Sequence, residues 1–148
     1  MAYIALISWF VTLLPGLYML TVWLIENDVT DPKSASNLPP PVIFAHLTLA
    51  VTGFGVWVAY LLYGSDLLAW TALCLIGLVD VLGLSMFARW IPVYREPEVP
   101  AAERVLPAGQ ATAPEGSFPL VVVFGHGLLA LSTAVLVLLA TLDVNVHL

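Results

Sequence analysis

The sequence predicts an all-α integral membrane protein, a four-helix up-down-up-down bundle, on three observations. Of 148 residues, 61% are hydrophobic and 9% charged, with a mean hydropathy of +1.00. Soluble domains run near 45–50% apolar and about 25% charged. Four runs with no charge, or one, each reach the roughly 20 residues that a helix needs to cross a hydrocarbon core about 30 Å thick. Polar segments rich in Pro, Gly, Asp and Glu separate these runs. A net charge of −6 with four Lys+Arg excludes a basic nucleic-acid surface, and the hydropathy excludes a disordered chain. The expected partner is the lipid bilayer, with no nucleic acid.

The spans fall at about 2–25, 42–63, 67–87 and 118–142, in a single membrane domain over 1–148. The first, second and fourth are uncharged, and the third carries only Asp80. Backbone groups in hydrocarbon must be satisfied within the segment, so each span is a helix. Pro15 predicts a kink in the first. Gly64-Ser65-Asp66 is short enough to make the second and third helices a tight hairpin. The loops 26–41 and 88–117 are polar; the second opens on Arg89-Trp90-Ile91-Pro92, an interfacial anchor, and continues as an extended segment.

All four basic residues, Lys33, Arg89, Arg95 and Arg104, lie in those two loops. The positive-inside rule then places the loops in the cytoplasm and both termini outside a plasma membrane. Met1-Ala2-Tyr3-Ile4 has no basic start and no small-residue cleavage site follows, so the first span is expected to remain in the mature protein. Trp23, Trp90 and Tyr94 are expected at the cytoplasmic interface, and Tyr60, Tyr63 and Trp70 at the other. Phe87 and Phe124 are read as lipid or core contacts, or as neighbours of a cofactor. The only cysteine, Cys74, is expected to be a buried thiol, with no intrachain disulfide open to it.

Two stretches share the pattern His-x-x-Leu-Ala-x-(Ser/Thr): residues 46–52 and 126–132, eighty apart. A duplicated helical hairpin explains it; so does chance likeness between low-complexity apolar helices. A parallel repeat would be related by an axis along the membrane normal.

Ionisable residues inside membrane helices are rare and usually face the bundle interior. Counted from the span ends, His46, Asp80 and His126 lie roughly 6, 10 and 12 Å from the same face. In a bundle with short connections, helices two and four are diagonal neighbours. Two imidazoles facing inward from such helices can fill both axial positions of one haem b iron, as in membrane b-type cytochromes. A porphyrin needs close backbone approach, which glycine allows. Gly125 and Gly127 flank His126, and Gly53 lies two turns from His46 on its face. Asp80 then orients an imidazole or pairs with a propionate through water; in a transporter it is the ion-binding carboxylate. The plainer readings are that both histidines bond a headgroup or a carbonyl, and that Asp80 bonds Ser85, Thr21 or Tyr18. His147 is expected to be solvated, and Glu26 interfacial. Phosphate loops, Cys-x-x-Cys, His-Glu-x-x-His and Gly-x-Ser-x-Gly are absent from the sequence.

The stretches Met86-Phe87-Ala88-Arg89-Trp90 and His126-Gly127-Leu128-Leu129-Ala130, with their surroundings, resemble small four-helix membrane proteins of actinobacteria. The resemblance covers the last three helices, implies the topology, and carries no activity. The leading functional expectation is a membrane b-type haem protein or redox-enzyme membrane subunit, passing electrons through a bis-His haem to a larger complex or a quinone. The alternative is a non-enzymatic small transporter, or an accessory or scaffold subunit that uses Asp80 as an ion or hydrogen-bonding site.

Overall fold

The computed structural model describes residues 1–26, 36–95 and 113–146. Among these it contains four α-helices, one 3₁₀ turn and no strand: α1 Ala2–Glu26, α2 Pro40–Tyr63, α3 Asp66–Arg95, the turn Pro114–Ser117, and α4 Leu120–Val146. Each helix is long and apolar enough to cross a membrane. The middles of both polar loops, with Lys33 and Arg104, and His147 lie outside the described residues.

The helix boundaries follow from local chemistry. Gly64 ends α2 in the left-handed region (φ 66°), and its N–H bonds the Tyr60 carbonyl at 2.8 Å. Proline precedes both α2 and α4. The Pro39 carbonyl accepts from the N–H groups of Val42 (3.0 Å) and Ile43 (3.3 Å); Pro119 does the same for Val122 (2.9 Å) and Val123 (3.2 Å). Proline costs nothing there, because a first-turn N–H has no partner within the helix. The expected end of the third span at 87 is corrected: α3 continues to Arg95 through Pro92. Phe87, Trp90 and Tyr94 stack in series along it, at 5.8 and 4.9 Å, and Trp90 is buried. That packing outweighs the hydrogen bond the proline removes, so residues 88–95 are helical rather than an extended loop.

The close pairs are α2 with α3 and α1 with α4; α3 with α4 and α1 with α2 pack more loosely. The Cα atoms of α2 and α4, like those of α1 and α3, never approach within 8 Å, so each of these pairs is diagonal. Small residues line the helix contacts: Ala5, Ala69 and Ala72 are fully buried, Ala50 and Ala140 nearly so. Large apolar side chains point outward instead, and only 11–22% of each membrane-length window is buried. Close approach through small residues is how helices associate when their outward faces meet hydrocarbon.

Two aromatic layers close the bundle. At one end Ala5, Trp9, Trp57, Tyr60, Ala69, Ile76 and Val137 form a cluster, and the Trp57 indole donates to the Ala2 carbonyl at 3.2 Å. At the other, Trp23, Leu38, Trp90 and Phe118 pack together. The start of α1 therefore meets the end of α2, and the end of α1 meets the starts of α2 and α4, so consecutive helices alternate in direction. Trp23 and Trp90 lie at a bundle end but face inward, buried at 1% and 3% exposure. Each hides a large ring inside the bundle end and satisfies its indole N–H there. Tyr60 is likewise in the core, whereas Tyr63, Trp70 and Tyr94 are exposed. Phe87 meets Phe124 edge-on at 5.4 Å. Cys74 faces outward rather than into the core.

A Cβ at Gly53 would stand 2.9 Å from the Trp9 ring, whereas one at Gly55 meets nothing within 4 Å. Gly53→Ala should therefore destabilise the bundle by about 1–3 kcal/mol through overpacking, while Gly55→Ala should be neutral or slightly stabilising. Thermal unfolding of the two variants in the same detergent measures the difference.

Candidate functional site: an imidazole pair on diagonal helices

His46 and His126 each lie six residues after the start of their helix, about 9 Å along the axis. Their depths are thus equal, where the span limits read from sequence made them differ. Both rings turn into the bundle and meet across the α2–α4 diagonal, with ring centres 6.3 Å apart and planes at 60°.

Each imidazole is clamped by the helix beside it. His46 Nδ1 lies 3.0 Å from the Val79 carbonyl of α3, and His126 Nδ1 lies 3.0 Å from the Thr12 carbonyl of α1. A carbonyl can only accept, so Nδ1 carries the proton in both rings. In the neutral imidazole, Nε2 then keeps its lone pair. A ligating histidine has this arrangement: its N–H is fixed by a backbone acceptor, and the other nitrogen is free to bind.

Glycine makes the clamp possible. A helix carbonyl is normally covered by the residue four positions on, whose N–H it accepts and whose Cβ leans back over it. Four residues after Thr12 stands Gly16, and four after Val79 stands Gly83. A Cβ at Gly16 would be 3.0 Å from Cε1 of His126, and one at Gly83 would be 3.2 Å from Cε1 of His46. Either methyl would press on the ring and obstruct its approach to the carbonyl.

The other residues singled out from sequence are placed differently. Gly53 is buried against Trp9, and beyond their own chain neighbours nothing lies within 4 Å of a Cβ built on Gly125 or Gly127. Asp80 follows Val79, which sets it at the height of the His46 clamp. It is half-buried and makes no hydrogen bond to a described residue. Neither imidazole N–H goes to Asp80, because the two carbonyls take them. Nor do the hydroxyls once matched to Asp80 reach it: Ser85 and Thr21 donate to the Leu82 and Leu17 carbonyls of their own helices.

Gly16 and Gly83 escaped the sequence reading, although a signal for them was present. Gly-Leu-x-Met-x-x-x-Trp occurs at residues 16–23 and again at 83–90, spaced by 67. With the eighty-residue spacing that relates Pro39, Phe44 and His46 to Pro119, Phe124 and His126, the likeness between the two halves of the sequence reaches all four helices. The contacts obey the same exchange: His46 of the second helix clamps on the third, and His126 of the fourth clamps on the first.

The two halves differ beneath the rings. On the His126 side, Ser8, Thr12 and Thr133 join α1 to α4, with Oγ separations of 2.7 Å (Ser8–Thr133) and 3.1 Å (Thr12–Thr133). On the His46 side the corresponding positions are Leu75, Val79 and Gly53. Among the described residues no group of three or more His, Cys, Asp or Glu converges on a metal-sized site.

No family model, curated protein or solved structure matches this chain. The resemblance to actinobacterial membrane proteins gains no support from these comparisons, and the function has to be argued from the imidazole pair.

Thr133 is fully buried, and its hydroxyl is the common partner of Ser8 and Thr12. Thr133→Val keeps the shape and removes that link, so the bundle should lose about 0.5–1.5 kcal/mol, the usual range for such bonds between membrane helices. Unfolding in mixed micelles checks this, with Ser132→Val, on the exposed face of α4, as the reference that should change little.

Proposed function

We propose that the chain is a membrane b-type haem protein, with His46 and His126 as the axial ligands of a single haem b, and that it passes single electrons as a membrane subunit or partner of a larger redox assembly or to a quinone. The observation that carries the proposal is the clamped pair at 6.3 Å. Two imidazoles sharing one iron axially, at an iron–nitrogen bond of about 2 Å, have ring centres about 6 Å apart. The protonated nitrogens are already committed to Val79 and Thr12, which leaves both Nε2 lone pairs for the metal. The surroundings are apolar (Met19, Ile43, Met86 and Val123 stand toward the Trp23–Trp90 end), and they suit a hydrophobic macrocycle. Iron with both axial positions filled by the protein is suited to changing its charge by one electron rather than to binding a substrate.

Placement in the plasma membrane, with the Trp23–Trp90 end toward the cytoplasm and the termini outside, belongs to the same proposal and rests on the four basic residues of the two loops. A second reading is supported by one observation. Asp80 is a half-buried carboxylate in an apolar helix with no hydrogen-bond partner among the described residues, as an ion-binding carboxylate of a small transporter or accessory subunit would be.

Protein purified in detergent from haem-replete cells should show a Soret band and a sharp low-spin reduced spectrum with dithionite, at one haem per chain. His46→Ala and His126→Ala should each abolish that low-spin spectrum while helicity by circular dichroism is retained. Asp80→Asn should leave it in place with at most a shifted midpoint potential. A colourless, iron-free wild-type protein rejects the haem reading, and loss of cation-dependent transport in Asp80→Asn would select the second one.

A further inference from the structure

Beyond the ring pair lies a construction that the electron-transfer reading does not use. The bundle end nearest the imidazoles is closed by two pieces of chain outside the four long helices: residues 36–38 and the 3₁₀ turn Pro114–Ser117. Both are held by one side chain, Glu115, which is fully buried. Its carboxylate accepts the Ser36 hydroxyl at 3.0 Å on one oxygen and the Asn37 N–H on the other, and its own carbonyl accepts the Trp90 indole at 3.0 Å. Ser36 in turn accepts the Trp23 indole at 2.9 Å and the Leu38 N–H at 3.2 Å. At the edge, Ser117 donates to the Glu26 carboxylate at 2.7 Å. Among the described residues the donors to this carboxylate are the Ser36 hydroxyl and the Asn37 N–H, and no basic side chain pairs with it.

The position of this plug gives it a consequence. Toward the opposite end, the imidazoles are sealed by the Trp9, Trp57 and Tyr60 layer, which is tied to helix backbone. Sideways lie helices whose outward faces are apolar. Toward the near end, the Met19, Ile43, Met86 and Val123 layer and the Trp23–Trp90 layer are what intervenes among the described residues, and the second of these is fastened through Glu115. A charged species coming from water reaches the pair by this route, and hydrogen bonds rather than continuous helix close it.

We infer that the turn Pro114–Ser117 and residues 36–38 form a latched plug over the imidazole pair, with Glu115 as the latch, and that releasing Glu115 opens the aqueous route to His46 and His126. The inference uses the reading of the two histidines as ligands only to say what passes; its test needs no cofactor. The full-length, haem-free chain in nanodiscs is exposed to pentaammine-aqua-ruthenium(II), a hydrophilic dication that does not partition into lipid. The Nε2 lone pair displaces the water on ruthenium without change of oxidation state, and modification at each histidine is followed by mass spectrometry. The wild-type protein should react slowly, and Glu115→Ala should react at least tenfold faster at both His46 and His126, with unchanged helicity. Glu115→Asp, which keeps an acceptor, should fall between them. If Glu115→Ala loses helicity, Ser36→Ala, which cuts the same latch from the other side, is judged by the same tenfold criterion. Equal rates in latch variants and wild type, or wild-type reaction as fast as free imidazole, overturn the plug whether or not the protein binds haem. A haem-free spectrum with a tenfold acceleration rejects the haem reading and leaves the plug standing.

Discussion

An imidazole N–H inside an apolar bundle must find an acceptor, and in a helix-only structure the acceptors at hand are backbone carbonyls already engaged once within their own helices. The second lone pair of a carbonyl is open to a ring from another helix where the residue four positions on carries no side chain to press on that ring. Thr12–Gly16 and Val79–Gly83 meet that condition on two helices at the same height. From the clamp follow the tautomer of both rings, the freedom of both Nε2 atoms, and the close pairing of α1 with α4 and α2 with α3. A methyl in place of either glycine would stand 3.0 or 3.2 Å from a ring carbon and push the imidazole away from its carbonyl.

The rest of the near half is arranged around the clamp in layers that repeat between the two halves of the chain. Trp23 and Trp90, Met19 and Met86, Gly16 and Gly83 lie on matching faces of α1 and α3, while Leu38 and Phe118, Ile43 and Val123 stand at positions eighty apart. Two similar hairpins, each unable to satisfy its own histidine, satisfy each other's. The likeness is broken in two places: a hydroxyl cluster lies below His126, and a carboxylate follows the carbonyl that holds His46.

Reading by composition served well for the helices and less well for what lies between them. The stop expected at residue 87 failed because Pro92 and the charges around it were weighed as local signals, whereas the Phe87–Trp90–Tyr94 stack is a consequence of packing. Trp23 and Trp90 were expected at an interface because tryptophan usually sits there; in the fold their N–H groups find Ser36 and Glu115 inside the bundle end. Glu115 itself was one acid among several in a polar loop, with no periodicity to mark it as a buried hub. Gly53, Gly125 and Gly127 stand out in the sequence because they flank a histidine or share its helix face, whereas Gly16 and Gly83, which make room for the rings, belong to the helices the rings lean on and are far away in the chain.

The sequence alone determined the number of helices, that each is long enough to cross a membrane, and the presence of two histidines eighty residues apart, because apolar run length and residue spacing are read along the chain. Which carbonyl each imidazole takes, which glycines make room for it, and how Glu115 ties two loops across the bundle end were decided only by tertiary structure. These are contacts between segments tens of residues apart, set by which helix faces pack together, and no local pattern encodes a packing partner.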